Sequence, residues 1–356
     1  MATLRFRGPV LPDAEPRDLY VGDGVVSLEP VAGAETAAQG WIVPGLVDAH
    51  CHIGLDQHGA VDDATTERQA LADRDSGSLL LRDCGSPADT RWVHDRADLP
   101  RLIRCGRHLA RTRRYIRNFA HEIEPDQLAE YAAQEAEAGD GWVKLVGDWI
   151  SRDDGDLAPS FPADAFASAI AAAHEHGARV TAHCFGEAVL PGLVEAGIDC
   201  IEHGTGLTTD LVETMAARGT ALVPTAYQLR SFPTYAEQGA ERFPAYAEHM
   251  LDLYARRRET VMAAYEAGVA IFAGTDAGGV LPHGIIADEV AELASYGMPA
   301  EYALGAASWR ARAWLGWNAG LDEGAPADFV VYPRDPRADL SVLREPTAVV
   351  LRGQVV

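Results

Sequence analysis

His50 and His52 stand two residues apart in the run PGLVDAHCH (44–52). On an extended strand that spacing turns both imidazoles to one side. Further along, Lys144 in GWVKLVGDW, His183 in TAHCFG, His203 in IEHGT and Asp276 in GTDAG lie at or near the ends of short apolar runs. Four imidazoles and a carboxylate brought to one place are expensive to bury unless a cation sits among them. Each residue alone has an ordinary role open to it: a core histidine, a strand-end lysine reaching water, an aspartate capping a turn. Six such residues near the C-terminal ends of successive strands point instead to a metal-dependent site.

The elements that must position them alternate along the chain. Strand candidates are WIVPGLVDAHCH and then residues 77–85, 99–106, 141–149, 178–186, 199–206, 220–228 and 268–279. Ala-rich amphipathic text separates them, such as PADAFASAIAAAHEHG and the stretch 244–267. Gly177, Gly197, Gly219 and Gly268 stand where helices end, one or two residues before the next strand. Repeated βα units imply parallel strands with helical crossovers. Eight of them over residues 44–319 predict an α/β chain folded as a (β/α)8 TIM barrel, whose catalytic face collects the strand C-termini. An open doubly wound sheet is the alternative. The chain ends have a different texture, with short alternating runs, turns, and a hairpin signal at GDG (22–24). Neither end can bury a core alone. Residues 1–43 and 320–356 are therefore expected to build one small β-sandwich domain together.

The 356 residues carry 30 Lys+Arg against 53 Asp+Glu, a net charge of −23, which argues against a nucleic-acid coat because phosphate binding needs a basic face. No apolar run approaches the roughly 20 residues of a membrane helix, and MATLRFRGPVLPDAEPRDLY lacks the core of a signal peptide. The five cysteines form no CxxC and sit in apolar text, as reduced thiols of a cytoplasmic protein would. The expected partner is a small-molecule substrate, with neither nucleic acid nor membrane; a homo-oligomer is compatible with the text. Neither GxxxxGK[ST] nor GxSxG occurs, so phosphate-loop and serine-hydrolase chemistry lack their residues.

PGLVDAHCH, Lys144, TAHCFG, IEHGT and GTDAG together resemble the metal-dependent amidohydrolase superfamily, in particular its imidazolonepropionase-like and Xaa-Pro dipeptidase-like branch. The C-terminal text from DFVVYPRDP to LRGQVV is similar to that branch as well. The resemblance implies two divalent metal ions, zinc first, with manganese, iron or cobalt as alternatives. His50, His52 and Asp276 would hold one, His183 and His203 the other, and a carbamylated Lys144 would bridge them. A single-metal site is the main variant. The implied reaction is hydrolysis of an amide-type C–N bond in an N-acyl amino acid, dipeptide or cyclic amide. Metal-activated hydroxide would attack, and Asp276 would act as general base and then acid. Rival readings are an esterase or lactonase on the same centre and a non-catalytic scaffold.

Secondary candidates follow from position. Tyr227, just past the seventh strand, is placed to donate to an oxyanion. The basic stretch RCGRHLARTRRYIRNFAHE (104–122) offers Arg113, Arg114, Tyr115 and His121 to a substrate carboxylate, or else forms a solvated helix. Its FAHEI stands where the family usually has Gly-His-Gly. His283 in LPHG either touches substrate or orders its loop. Asp48 and Glu202 flank ligands and are expected to support them. Glu187, four residues after His183, does not have the spacing of deaminase relatives.

Overall fold

The computed structural model describes residues 3–356. Its larger unit is built on parallel strands. Ser78–Asp83 pairs with Leu46–Cys51 on one side and Arg101–Arg104 on the other. Trp142–Val146, Arg179–Cys184, Cys200–His203 and Ala221–Val223 follow in order, each bonded to the next. The third and fourth positions meet where the Asp140 N–H donates to the Arg104 carbonyl (2.8 Å) and where Leu109 of strand Leu109–Arg111 pairs with Leu145.

The predicted eighth strand makes isolated bridges rather than a continuous ladder. The Leu222 N–H donates to the Ala270 carbonyl at 2.9 Å, and the Ala49 N–H to the Ala273 carbonyl at 2.9 Å. Those bonds join the seventh strand to the first through residues 270–277. The left-handed backbone at Asp276 (φ 58°) ends extended geometry there. Val47, Ala49, Leu80, Cys84, Trp142, Cys200, Val223 and Phe272, drawn from strands around this series, pack into one core cluster. The fold is of the TIM-barrel type.

Helices cover the outside. Ala163–Glu175 buries Phe166, Ala169, Ile170 and Ala173, an i, i+3, i+4, i+7 stripe. Asp63–Asp75 begins where the Asp62 carboxylate accepts the Thr65 N–H. The long stretch forms one 23-residue helix, Pro244–Glu266. Gly177, Gly197, Gly219 and Gly268 all take positive φ, between 74° and 85°, as helix-ending glycines do.

Strands from both chain ends share one further sheet. Its order is Gln354–Val355, Ala348–Leu351, Phe329–Tyr332, Trp41–Pro44, Leu4–Val10, Glu15–Gly22 and Val25–Ser27, with Glu35–Gln39 bonded to Leu4–Val10. Phe6, Leu19, Val26, Ile42, Phe329 and Val350 form its core. Hydrogen bonds join these eight strands into one sheet, not the two separately bonded sheets of the predicted sandwich. The first predicted strand also divides. Trp41–Pro44 runs antiparallel to Phe329–Tyr332 in this sheet, while Leu46–Cys51 enters the parallel series. The junction, Gly45, is packed so closely that a Cβ there would lie 2.8 Å from the Leu79 side chain. The basic stretch 104–122 is not a helix. It holds two short parallel strands, Leu109–Arg111 and His121–Ile123, joined by a loop with left-handed turns at Arg113 and Asn118.

Candidate metal centre and its cavity

The C-terminal ends of the parallel strands open into a cavity of about 410 Å³. His50, His52, Lys144, His183, His203 and Asp276 all line it, from the ends of four strands and the segment 270–277. His50 Nε2 and His52 Nε2 lie 3.2 Å apart, and each is 3.1 Å from Asp276 Oδ1. The Gly85 carbonyl, 2.8 Å from His52 Nδ1, fixes the proton on that nitrogen. The Nε2 lone pair is then free to point into the triangle. Thr225 Oγ1 sits 2.7 Å from His203 Nδ1. The ring centroids of His50 and His203 are 5.4 Å apart, and those of His203 and His183 are 4.7 Å apart. His50 Nδ1 and His183 Nε2 are buried without a hydrogen-bond partner. Unpaired buried nitrogens are costly, and a cation would give His183 the partner it lacks.

Electrostatics keep the donors in the ligating form. Burial pushes the His183 imidazole well below its ordinary value, lowers His50, and takes His203 down to about 3. These rings are neutral at pH 7. Burial alone would raise Asp276, but the adjoining His50 and its contact hold it well below the carboxylate range. Lys144 is fully buried and ion-paired with Glu202. Burial works against its charge, yet the Glu202 carboxylate keeps it above the ordinary lysine value. Glu202 also accepts from Thr181 Oγ1 at 2.8 Å and lies 3.8 Å from Arg82, itself wholly buried over the Trp142 ring.

Local sequence explains the convergence. Asp48 accepts the His50 and Thr275 N–H groups at 3.1 and 3.0 Å and the Thr275 hydroxyl at 2.5 Å, fastening the first strand to the segment carrying Asp276. Burial pushes the Asp48 carboxyl up to about 7. His203, Thr225 and Asp276 hold left-handed φ values of 63°, 47° and 58°. Such conformations cost non-glycine residues about 1–3 kcal/mol each and persist where surrounding contacts impose them. At Gly274 a Cβ would stand 2.6 Å from that of His50, so only glycine lets the two backbones approach this closely.

The secondary candidates separate. Tyr115 lines the cavity; Tyr227, Arg113, His121 and His283 do not. The Tyr227 N–H donates to Glu289 at 2.7 Å, and its ring faces Arg230, not the ligand cluster. The 3-10 turn that follows instead brings Gln228 to the wall, and the next helix brings Tyr235. Arg113 is exposed. His121 is 2.9 Å from Glu135. His283 pairs with buried Asp73 at 2.7 Å, tying its loop to helix Asp63–Asp75. Arg114 donates to the carbonyls of Pro159, Trp149 and Ala158 at 2.9–3.0 Å. It thereby fastens the hairpin Asp148–Ile150/Leu157–Pro159 beside the cavity. Sequence reasoning missed Trp149, Phe185, Tyr235 and Tyr246. The first two close predicted strand runs, and that position was the available signal. The last two come from helices that carry no such mark. All five cysteines are buried and free, and among the described residues no helix is long and apolar enough to cross a membrane.

Comparison with known proteins agrees with this geometry. The amidohydrolase family profile matches residues 154–356. The chain belongs to the amidohydrolase family and is an enzyme acting on C–N bonds. Uncharacterized protein Rv2915c of Mycobacterium tuberculosis and Uncharacterized protein Mb2939c of Mycobacterium bovis are each 57% identical to it over 353 residues, covering 99% of this chain and 95% of theirs. Its fold is similar to that of a Xaa-Pro dipeptidase crystallised with methionine (TM-score 0.84, 20% identity, 100% of both chains). It is also similar to that of Aspergillus niger ochratoxinase (A. niger; TM-score 0.79, 19% identity, 99% of this chain and 95% of the other).

Proposed function

We propose that the protein hydrolyses a small-molecule amide with divalent metal held by the residues of this cavity. The triangle of His50 Nε2, His52 Nε2 and Asp276 Oδ1, 3.1–3.2 Å on each side, is the observation that carries the reading. That separation suits three donors sharing one ion at about 2.0–2.1 Å. His183 and His203 would be the further donors for a second ion, and Lys144 as its carbamate would supply anionic oxygens to the metal centre. Zinc is the first choice, and manganese, iron and cobalt suit the same donors. A carbamate on Nζ would retain one N–H for Glu202, so the present ion pair has a successor. When bound, divalent metal lowers the pKa of a water and polarises a carbonyl.

The chain's own residues do the rest. The Gly85 and Thr225 contacts aim the imidazoles, and Asp48 holds the backbone on either side of the reacting carboxylate. Asp276 takes a proton from the attacking water and passes it to the leaving nitrogen as the C–N bond breaks. In this reading residues 44–319 close as a (β/α)8 barrel, and residues 1–43 and 320–356 form the accompanying β domain.

The test is Asp276→Asn, assayed with metal-replete protein on N-acyl amino acids, dipeptides and cyclic amides. Metal content measured by elemental analysis should be retained while turnover falls by roughly 10²–10⁴-fold, the range for a lost general base. Undiminished turnover would take Asp276 out of the mechanism.

A further inference from the structure

We propose that the amide cleaved here is neutral and carries an aryl or arylalkyl group, with no carboxylate next to the scissile bond. This rests on the hydrolase reading above and names its substrate class.

The walls set the first half of the claim. Tyr115, Phe119, Trp149, Phe185, Phe243 and Tyr246 line the cavity. The aromatic surface begins at the ligand cluster itself. The His183 ring lies 4.3 Å from Phe185 and 5.5 Å from Trp149, centroid to centroid. Tyr115 meets Trp149 edge-to-face at 4.8 Å, and Phe185 meets buried Phe232 in the same way at 4.7 Å. A group attached beside the reacting carbonyl therefore meets packed rings. A volume of about 410 Å³ admits a ring and its linker.

The charges set the second half. Outside the ligand cluster, Arg242 is the one charged side chain among the described lining residues, and it is exposed. Outside that cluster none of the described lining residues is acidic, so none is placed to receive an amine. The basic side chains offered by the neighbouring strands are engaged elsewhere: Arg114 donates to three backbone carbonyls, Lys144 pairs with Glu202, and the His121 ring sits 2.9 Å from Glu135. A carboxylate one carbon from the scissile nitrogen would be desolvated against aromatic rings with no buried, unpaired cation beside it, which is strongly unfavourable. A ring gains from the same surface. In the reaction, the water oxygen bonds to the carbonyl carbon and the C–N bond breaks. One water proton goes to nitrogen, so a carboxylic acid and an amine leave.

The full-length, metal-replete enzyme is titrated calorimetrically with 3-phenylpropanohydroxamic acid and with succinic monohydroxamic acid. The two share a metal-seeking head and differ in the tail. The phenyl probe is expected to bind at least about 30-fold tighter. Trp149→Ala is expected to weaken it about tenfold or more, and Trp149→Phe to restore most of the loss. In parallel, kcat/KM is compared for a phenylpropanoyl anilide and a phenylpropanoyl amino acid, with the anilide expected to lead. Equal or reversed probe affinities in the wild-type protein overturn the proposal, whatever the variants do. Hydrolysis of both amides at similar rates overturns it too, and leaves the hydrolase reading intact. A 30-fold binding preference with no amide turned over keeps the aryl site and removes the hydrolase reading.

Discussion

Glu202 lies fully buried between two cations, Lys144 at one oxygen and Arg82 3.8 Å from the other. Glu202→Gln keeps the shape and the Thr181 contact but removes the negative charge that these two cations share. The folded variant must then either hold an unpaired ammonium in the interior or fold with Lys144 neutral. The second course can be costed. An unfolded lysine titrates near 10.4, roughly 3.4 units above pH 7, and at about 1.36 kcal/mol per unit neutralising it costs about 4.6 kcal/mol. Broken buried ion pairs lose about 3–5 kcal/mol, in agreement. The pH dependence follows from the sign of each shift. In the wild type Lys144 is held above its ordinary value, so it is protonated in both states up to about pH 10 and contributes no slope there. In the variant its folded pKa is depressed, so the deficit shrinks by about 1.4 kcal/mol per unit as pH rises toward 10. Urea unfolding of both proteins at pH 7, 8 and 9, in chelator and CO₂-depleted buffer, measures this. A deficit under about 1 kcal/mol at pH 7, or one that ignores pH, would refute the account of Glu202 as the counter-charge of Lys144.

Two further perturbations test other parts of the structure. His249 sits 2.9 Å from both Asp156 and Glu187, with Arg256 also on Glu187, and the Glu187 and Asp156 contacts raise the imidazole to about 9. Because the folded pKa exceeds the unfolded one, this stability is complete below about pH 6.5 and is lost as pH rises through 9. His249→Gln should therefore cost about 1–2 kcal/mol at pH 6, discounted for partial exposure, and almost nothing at pH 10. An equal deficit at both pH values in urea unfolding would sink it. Gly274→Ala forces a Cβ to 2.6 Å from that of His50. Overpacking of this kind costs about 1–3 kcal/mol, and if His50 holds metal as proposed, displacement of its backbone should lower metal affinity about 10–100-fold, as loss of supporting contacts does. Metal retained at wild-type affinity in competition with a chelator would show that the close approach is not what places His50.

Much of this site was legible because barrel geometry converts sequence position into spatial position. A residue near the C-terminal end of a parallel strand must face one mouth, so His50, His52, Lys144, His183, His203 and Asp276 could be assigned to one place across more than two hundred residues. The same logic reached Asp48 and Glu202, whose partners are backbone and charge along neighbouring strands. It failed wherever a side chain's direction depends on a turn. Tyr227 and Gln228 are adjacent, but the 3-10 turn starting at Gln228 puts the amide in the cavity and leaves the phenol beside Arg230. The arginines of 104–122 suggested a carboxylate receptor because composition records charge and not its partners. Arg114 is spent on three carbonyls that only the folded hairpin supplies, and Arg113 points away at a left-handed turn. Specificity was therefore hidden for a physical reason. Ligand positions are fixed by strand register, which the apolar pattern encodes. The aromatic wall is assembled from the loop carrying Tyr115 and Phe119, the hairpin with Trp149, the strand end at Phe185 and the start of the long helix with Phe243 and Tyr246. The hairpin is held by Arg114 on backbone carbonyls, and backbone acceptors leave no mark in the text.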